Sequence, residues 1–454
     1  MGDWQTSRLA DRQIDRKVIM IEKEILSEII LDYQKNTLPP LVERELQNHI
    51  NLEIPLNRAT TILGPRRSGK TFFLYSLIKK LIQKGIKKER TLYVNFENPR
   101  LVTMDLKDLI SLSDTFYEIY PENKKQKIWI FLDEIQVIEN WEIFIRDILD
   151  KRKAYVFISG SSSKLLSREI ATSLRGRTLD YLILPFSFKE FLRLKNINYE
   201  KYLSSEEKAN LLNALWKYFS WGGYPEILLY PQESKRLINE IIEVTIFRDL
   251  MERHKIRNLK VIKWMFNYLV KGRAFSIHKF YNFLKSLNIK VSKNSLYNYL
   301  EYFNDAFIFF PLRRFSWSLK NIEQSIPKIY SVDNGLIEAI VGENKGSKLE
   351  NLVFLSLLRK GLKPNEEIFY YLSNNEEVDF IIKKGRKITT LIQSCFDLSD
   401  YQTKERETKA LIRASKELNC PHLLIITAND EGEEIIKDKK IKFIPIWKWL
   451  LDPE

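Results

Sequence analysis

An eight-residue run near the start of the chain has the composition and spacing of a phosphate-binding loop. The run is Gly64-Pro65-Arg66-Arg67-Ser68-Gly69-Lys70-Thr71, a complete GxxxxGKS/T pattern, and all eight residues are candidate nucleotide contacts. A short apolar strand precedes the run, and an amphipathic helix is predicted from Thr71 to Lys84. In such a loop the backbone amides surround a phosphate, Lys70 neutralises the β and γ oxygens, and the Thr71 hydroxyl is a ligand of Mg²⁺. The sequence therefore predicts a site for ATP and Mg²⁺.

A second run supplies the acidic side chains that such a site needs. Five apolar residues, Ile128 to Leu132, lead directly into Asp133 and Glu134. We expect Asp133 to hold Mg²⁺ through water and Glu134 to act as the general base for the attacking water. The alternative is a pair of acids that merely ends a strand at a solvated turn. The five apolar residues and the separate phosphate loop favour the catalytic interpretation. An acid next to the Mg²⁺ ligand favours hydrolysis over phosphoryl transfer to an organic acceptor.

Length and charge limit the class of protein. The chain has 454 residues, of which 44% are hydrophobic and 29% are charged, and this excludes a disordered or collagen-like chain. The length predicts about three domains. A net charge of +14 favours a polyanionic partner such as nucleic acid or anionic lipid. The alternative is a surface on which charges of both signs are simply solvated.

The chain lacks the sequence features of a secreted or membrane protein. Its two cysteines, Cys395 and Cys420, require no disulfide framework and exclude a cysteine-ligated zinc site. The first residues lack the basic and then apolar build of a signal peptide. No apolar run approaches the ~20 residues that span a bilayer. We therefore predict a soluble, cytoplasmic protein without a membrane partner.

Alternating short apolar runs and amphipathic stretches predict an α/β fold with a parallel sheet. The runs that we expect to be strands are 60–63, 91–96, 128–132, 155–159 and 179–184. Helical periodicity then dominates from about residue 186 to residue 271. A mixed α/β pattern returns between about residue 346 and the end of the chain.

A compact pattern between these regions has the outline of a winged helix. It comprises helices at 276–286 and 293–302, followed by extended segments at 307–315 and 328–332. Lys293, Asn294 and Tyr297 open the second helix, where a recognition helix contacts bases or phosphates. Arg273 and Lys279 add cationic groups nearby. These five residues are the candidate DNA contacts; the alternative is a module that only packs against the rest of the chain.

Further segments give the chain a specific resemblance to a known family. They are Asp133-Glu134-Ile135-Gln136, Ser159-Gly160-Ser161-Ser162, Leu174-Arg175-Gly176-Arg177, Leu184-Pro185-Phe186-Ser187-Phe188-Lys189-Glu190-Phe191, Gly222-Gly223-Tyr224-Pro225 and Phe247-Arg248-Asp249. With the phosphate loop, they make the chain similar to prokaryotic AAA+-type P-loop ATPases that carry a winged helix and a C-terminal restriction-endonuclease-like domain of unknown function. The resemblance covers the chain from about Pro39 onward.

The resemblance implies two further catalytic roles. Ser159 is expected to be a polar sensor of the γ-phosphate or the attacking water, with Ser161 as the alternative. Arg175 or Arg177 is expected to be an arginine finger that enters a neighbouring subunit's site, and this implies a homo-oligomer, in the form of a ring. The alternative for each arginine is a surface ion pair.

The C-terminal region resembles the PD-(D/E)xK nuclease fold, in which acids and a lysine gather Mg²⁺ and water. Glu350 and Asp379 match the acids of that fold. Gln393 stands where the fold has Glu, and Cys395 stands where it has Lys. The resemblance therefore implies a degenerate nuclease that is kept for binding or assembly, with at most a weak metal site at Asp379 and Glu350.

These expectations divide the chain into five domains. They are an N-terminal helical segment at 1–57, a P-loop ATPase core at 58–190, a helical lid at 191–258, a winged helix at 259–340 and a degenerate nuclease-like domain at 341–454. The leading functional hypothesis is a Mg²⁺-dependent oligomeric ATPase that couples hydrolysis to DNA remodelling or translocation, with branched or repair DNA as one candidate substrate. The alternative is an ATP-gated signalling or assembly switch that acts on a protein partner. An active nuclease is the third hypothesis.

Overall fold

The computed structural model describes residues 20–55, 57–161, 174, 176–199, 202–271 and 274–451. Helix α1 (Lys23–Lys35) opens this part of the chain, and a 3₁₀ turn at Glu45–His49 follows it. Leu26, Ile29 and Ile30 form the buried stripe of α1, which packs against the first sheet and its neighbouring helix. The N-terminal segment is thus built onto that sheet.

The first sheet is five-stranded and entirely parallel, with the order β2-β3-β4-β1-β5. Its strands are β1 (Ala59–Leu63), β2 (Thr91–Asn95), β3 (Ile128–Asp133), β4 (Ala154–Gly160) and β5 (Thr178–Leu182), and the helices between them are α2 (Lys70–Gln83), α3 (Leu106–Ile119) and α4 (Trp141–Lys151). Strands β1 and β3 are buried along their whole length because helices cover both faces of the sheet. The predicted α/β class and parallel sheet are confirmed. Since β4 lies between β1 and β3, the ends of these three strands meet at one edge.

A helical region follows the sheet. Its elements are α5 (Phe188–Leu194), α6 (Ser205–Trp221), α7 (Pro225–Leu229), α8 (Ser234–Val244), a π-helix (Thr245–Glu252) and α9 (Leu259–Lys271). Ser187 and Ser204 begin α5 and α6 with capping boxes that pair each serine with a glutamate three residues later. The π-helix continues directly from α8, and π-helical turns are frequent at functional sites.

A pair of helices and a two-stranded antiparallel ribbon come next. The helix pair is α10 (Ile277–Ser286) and α11 (Lys293–Asp305), and the ribbon is β6 (Phe309–Leu312) with β7 (Lys328–Ser331). A short helix, α12 (Leu319–Glu323), lies between the two strands. Ser276 and Ser292 cap the two helices through their side chains. These bounds agree closely with the segments that the sequence predicts.

The chain ends in a six-stranded mixed sheet with the order β12-β13-β11-β10-β9-β8. Its elements are α13 (Asn334–Val341), α14 (Lys345–Arg359), β8 (Ile368–Ser373), β9 (Glu376–Lys384), β10 (Lys387–Ser394), α15 (Tyr401–Leu418), β11 (Leu423–Thr427), β12 (Gly432–Ile436), β13 (Lys439–Pro445) and α16 (Ile446–Leu451). The sequence does not indicate β12, because this strand is a solvent-exposed edge without an apolar face.

These parts pack against one another closely. One continuous cluster of buried apolar side chains extends from Ile21 to Trp449 and includes residues of both large sheets. Arg359 of α14 donates to Pro185 O at 2.9 Å, and Asp333 accepts a hydrogen bond from Gly223 N at 2.6 Å. In the described ranges, no helix has the length and apolar character to cross a bilayer.

Candidate nucleotide site

The phosphate loop leaves the carboxyl end of β1 and enters α2 without an intervening residue. A β-carbon at Gly64 would lie 2.1 Å from Ile183 O, so only glycine fits between the loop and the segment after β5. Gly69 has a φ of +94°, in the left-handed region that favours glycine. Both glycines of the motif are therefore required by the shape of the loop.

Lys70 lies inside the loop and is almost fully buried. Its Nζ is 3.3 Å from Gly64 O, 3.2 Å from Pro65 O and 3.4 Å from Glu134 Oε1. Within the described residues, the buried Ser68 hydroxyl has no hydrogen-bond partner. A lysine that contacts only loop carbonyls and one carboxylate, beside an unpartnered hydroxyl, fits a site for the phosphates of ATP.

Asp133 is buried at the end of β3 and holds the side chains around it. Its carboxylate accepts hydrogen bonds from Tyr93 Oη at 3.0 Å and from Ser159 Oγ. Burial raises the pKa of Asp133, while Ser159, Thr71 and Tyr93 act in the opposite direction. The two predicted Mg²⁺ ligands, Thr71 and Asp133, thus lie close together, which fits a hydrated Mg²⁺ beside them.

Glu134 follows with a left-handed backbone, at a φ of 55°. Its backbone N donates to Ser159 Oγ at 3.1 Å, and its carboxylate accepts from Gln136 Nε2 at 2.5 Å. Burial alone would raise the pKa of Glu134, but Lys70, Gln136 and Arg66 hold it below its ordinary value. Glu134 is therefore an ionised carboxylate, the form that a general base needs.

The two arginines of the phosphate loop bind acids of the helical region. Arg66 forms a two-pronged ion pair with Asp249 of the π-helix, with Nη2–Oδ1 at 3.0 Å and Nε–Oδ2 at 3.2 Å. Arg67 contacts Glu226 at 2.9 Å and Glu240 at 2.5 Å. Ion pairs of both Arg66 and Arg67 thus connect the phosphate loop to the helical region.

Arg253 is a site residue that sequence reasoning missed. Its Nη2 lies 3.3 Å from Asp249 Oδ1 and 3.5 Å from Ser161 Oγ. Burial and the neighbouring Arg66 lower the pKa of Arg253, although Asp249 opposes them. Two guanidinium groups therefore share one buried carboxylate next to the phosphate loop. The segment Phe247-Arg248-Asp249 carries the family resemblance, but nothing in it indicates contact with a loop more than 180 residues earlier.

Arg44 is a second residue that the sequence does not indicate. Its Nη1 donates to Ser68 O at 3.1 Å and its Nη2 donates to Leu184 O at 2.6 Å. An ion pair with Glu190 at 3.0 Å fixes the side chain, which is 6% exposed. Arg44 thus connects the N-terminal segment to the backbone of the phosphate loop and to the segment after β5.

One arginine-finger candidate, Arg177, lies away from this site. Arg177 precedes β5, where its carbonyl accepts from Ala59 N at the start of β1, and its Nη1 contacts Asp150 at 2.5 Å. The phosphate loop follows the opposite end of β1, a strand of five residues that is about 16 Å long. Arg177 therefore lies too far from the loop of its own chain to contact a nucleotide there, and its observed partner is Asp150. Arg175 lies outside the described residues.

The candidate DNA contacts lie on the surface of the helix pair. Lys279, Asn294 and Tyr297 are exposed, and Tyr297 is 55% exposed. Lys293 is also exposed, with its Nζ 3.1 Å from His278 Nδ1 and above the ring of Tyr281. Arg273 lies outside the described residues. The structure thus leaves the first turn of α11 open to a partner.

The predicted nuclease remnants are engaged in other contacts. Gln393 Oε1 accepts from Asp379 N at 3.1 Å, and Gln393 Nε2 donates to Glu407. Burial raises the pKa of Cys395 to about 11, so its thiol is neutral near pH 7. The cation beside Glu350 and Asp379 is supplied instead by Lys328. Among the described residues, no group of three or more His, Cys, Asp and Glu side chains is arranged to hold a metal ion.

Comparisons with known proteins agree with this site. The AAA domain family matches residues 56–192, and a domain of unknown function (DUF8612) matches residues 212–347. An uncharacterized protein of Methanocaldococcus jannaschii, MJ1544, is 42% identical over 457 residues, which cover 98% of this chain and 99% of that protein. An uncharacterized protein of Haemophilus influenzae is 29% identical over 397 residues, which cover 86% of this chain and 93% of that protein.

Two solved structures are similar to this chain at low sequence identity and low TM-score. The Walker-type ATPase PABY2304 of Pyrococcus abyssi has a TM-score of 0.41 at 16% identity, covering 67% of this chain and 99% of its own. Cdc6p from Pyrobaculum aerophilum has a TM-score of 0.30 at 13% identity, covering 76% of this chain and 99% of its own.

The chain is a prokaryotic AAA+-type P-loop ATPase, an enzyme that hydrolyses ATP. It belongs to the same family as the M. jannaschii protein MJ1544. The predicted family and enzyme class are confirmed.

Proposed function

We propose that this protein is a Mg²⁺-dependent, oligomeric ATPase that couples ATP hydrolysis to the binding and remodelling of DNA. The observation that carries the proposal is the hydrogen-bonded group formed by Asp133, Ser159 and Glu134 beside Thr71 of the phosphate loop. In this arrangement the candidate Mg²⁺ ligands, Thr71 and Asp133, are next to an ionised candidate base. Translocation along DNA, including branched or repair intermediates, is the specific activity that we favour.

Each side chain of this group has one role in the proposal. The loop amides and Lys70 hold the phosphates, while Thr71 and Asp133 hold Mg²⁺, which neutralises charge on the β and γ oxygens when bound. Glu134 accepts a proton from the attacking water. Ser159 fixes the relative position of the two acids, since it donates to Asp133 and accepts from Glu134 N. Its hydroxyl is then also within reach of the reaction centre.

The helical region acts as a lid in this proposal. Asp249 holds Arg66 and Arg253 together next to the loop. A γ-phosphate at the loop would be a further anion for these two arginines. Lid position and nucleotide state are therefore coupled through Asp249, because a shift of the π-helix moves both arginines at once.

The position of Arg177 supports the oligomer in this proposal. Because this side chain lies at the far end of β1 from the loop, an arginine-finger role would require a neighbouring subunit's site. A closed ring supplies one such contact to each subunit. The Arg177 guanidinium forms an ion pair with Asp150 in this structure. Because an exposed ion pair contributes little free energy, Arg177 can leave Asp150 at low cost to bind a new partner.

DNA is the partner that we favour because of the helix pair and the net charge. The capped start of α11 exposes Lys293, Asn294 and Tyr297, which combine a cation, an amide and an aromatic ring. These groups suit phosphate and base contacts in a groove. Lys279 adds a second exposed cation on the neighbouring helix.

A second candidate function rests on how the base is held. Glu134 contacts Lys70 at 3.4 Å and Gln136 at 2.5 Å, so its carboxylate must leave two partners before it activates water. Such an arrangement suits slow hydrolysis. The protein would then be an ATP-gated switch whose partner is another protein.

Steady-state ATP hydrolysis tests the proposal. The wild type, Glu134→Gln and Lys70→Ala are assayed with Mg²⁺, alone and with single-stranded, duplex or four-way-junction DNA. We expect one form of DNA to raise turnover of the wild type, and both variants to lose turnover. The control is Lys84→Ala, at an exposed lysine directly after α2, the helix that begins with Lys70; this variant should behave as the wild type. A rate that no DNA changes would reject the DNA proposal and favour the switch.

A further inference from the structure

A buried lysine lies at the centre of three carboxylates where the ribbon meets the C-terminal sheet. Lys328 Nζ is 2.9 Å from Glu350 Oε1, 2.8 Å from Glu377 Oε1 and 2.9 Å from Asp379 Oδ1. The lysine side chain is 2% exposed. The ammonium group donates hydrogen bonds to Glu350 and Asp379 and forms an ion pair with Glu377.

The carboxylates have further hydrogen bonds that hold them in place. Asp379 Oδ2 accepts from Ser394 N at 2.9 Å and from Ser394 Oγ at 2.7 Å. Glu350 Oε1 also accepts from Tyr330 Oη at 2.8 Å. Glu350 and Asp379 are 3% and 7% exposed, whereas Glu377 is 41% exposed. The cluster is thus buried on the side of Glu350 and Asp379, and a buried acid is stable only when it is paired.

Lys328 and the carboxylates of the cluster stabilise each other's charged forms. Burial alone would lower the pKa of Lys328, but Asp379, Glu350, Tyr330 and Glu377 raise it well above its ordinary value. Burial alone would raise the pKa of Asp379, but Lys328 holds it below its ordinary value. Lysine and aspartate therefore remain a charged pair near neutral pH.

Lys328 reaches the cluster from another part of the fold. It is the first residue of β7, Ala274 forms a bridge with it, and Phe275 N donates to Pro327 O at 3.0 Å. The acids belong to α14 and β9. A contact at Lys328 therefore joins the segment that leads into α10 to the C-terminal sheet.

We propose that Lys328 is the resident cation of this carboxylate cluster, in the position where a divalent metal ion would have to lie. The C-terminal region is then a metal-independent clamp that fixes the ribbon and the start of the helix pair, and it does not cleave DNA. This inference stands apart from the proposed ATPase coupling, since it concerns residues that contact neither the phosphate loop nor Asp133. It also explains why the glutamate and lysine of the nuclease pattern are dispensable here.

The direct test counts metal ions on the nucleotide-free, full-length protein. Binding of Mn²⁺ is measured by calorimetry and electron paramagnetic resonance for the wild type and for Glu350→Gln/Asp379→Asn. We expect the same number of Mn²⁺ ions on both proteins. One additional ion on the wild type that the double variant lacks would overturn the proposal.

A lysine substitution tests the cluster from the opposite direction. In Lys328→Met the ammonium is lost and the acids stay, so we expect the melting temperature in EDTA to fall by about 5–10 °C. Ca²⁺ takes carboxylate oxygens at about 2.3–2.6 Å and fits the same cluster after a small contraction. Millimolar Ca²⁺ or Mn²⁺ should therefore recover part of the loss in Lys328→Met only. Lys320→Met, at an exposed lysine of α12, should match the wild type with and without metal.

A third variant covers the case in which Lys328→Met does not fold. Lys328→Met/Glu350→Gln/Asp379→Asn removes the charges on the buried side together, so it should melt at a higher temperature than Lys328→Met and ignore added metal. A triple variant no more stable than the single one would contradict the proposal. Plasmid cleavage by the wild type with Mg²⁺ or Mn²⁺, lost in Asp379→Asn, would also overturn it.

Discussion

Arg66 of the phosphate loop and Asp249 of the π-helix form a two-pronged ion pair, with contacts of 3.0 and 3.2 Å. Asp249 is 2% exposed and also contacts Arg253, so this carboxylate joins the loop to the lid. Arg66 has a second acidic partner, Glu97, at 3.4 Å, but that side chain is 44% exposed. One arginine thus has a buried and an exposed partner, which makes their contributions separable.

Asp249→Asn should impair the ATPase far more than Glu97→Gln. The first substitution leaves two partly buried guanidinium groups without the negative charge that they share, and charge-assisted hydrogen bonds contribute about 1.5–3 kcal/mol. We expect kcat/KM for ATP to fall by roughly 10- to 100-fold in Asp249→Asn. Glu97→Gln removes only an exposed pair and should change it by less than about 5-fold. Equal effects of the two substitutions would show that Asp249 has no special role.

Glu134→Gln should separate ATP binding from hydrolysis. The amide keeps the size of the side chain but cannot accept the proton of water, so turnover should fall by about 10²- to 10⁴-fold. ATP affinity, measured with a fluorescent analogue, should stay within a few-fold of the wild type. The control is Glu139→Gln, an exposed acid on the same segment, which should keep normal turnover. Normal turnover in Glu134→Gln would reject its assignment as the base.

Asp333 should make stability depend on pH. Burial raises the pKa of Asp333 to about 7, although hydrogen bonds from Gly223 N and Gly335 N and the charge of Arg359 act against burial. Because the folded protein binds this proton more tightly than the unfolded chain, the contribution of Asp333 to stability is full below about pH 4. It is lost as the pH rises to about 7.

The measurement is urea unfolding of the wild type and Asp333→Asn between pH 5 and pH 8. An asparagine has only one carbonyl oxygen for two backbone donors, so we expect it to be destabilising by about 1–3 kcal/mol. The advantage of the wild type over Asp333→Asn should shrink as the pH rises through this range. An advantage that stays constant from pH 5 to pH 8 would show that Asp333 does not titrate there.

Lys293→Glu should weaken DNA binding without affecting the nucleotide site. If Lys293 contacts a phosphate, the substitution weakens binding for all DNA sequences and lowers the slope of log K against log salt by about one. The same result is expected for Arg273→Glu. ATP affinity should be unchanged, because Lys293 lies at the opposite end of α11 from Tyr302, whose ring stacks on His254 next to Arg253. Lys416→Glu, an exposed lysine of α15, is the charge-matched control, and an equal loss in that variant would reveal a nonspecific effect of charge.

Much of the site could be predicted because its residues are adjacent in sequence to the structure that positions them. The phosphate loop follows β1 and opens α2, and Asp133 with Glu134 follows five apolar residues of β3. Local geometry of this kind is fixed by strand periodicity, glycine conformation and the helix N-terminus. The fold class and its parallel strands were predictable for the same reason.

Other parts of the site depend on contacts between distant segments. Arg44, Asp249 and Arg253 each contact the loop or its neighbours from more than twenty residues away. Lys328 meets Asp379 across 51 residues, and the sequence pattern of a nuclease directs attention to Cys395 instead. No periodicity or motif connects such residues.

The sequence by itself therefore determined the class of enzyme and the residues of its phosphate and acid motifs, because those groups are placed by the strand or helix that carries them. Only the tertiary structure decided which arginines face the loop, that Arg177 is directed away from its own site, and that the cation beside Asp379 is Lys328. These relationships arise from the packing of separate elements against one another. They are set by burial and charge pairing in three dimensions, which no local pattern of residues encodes.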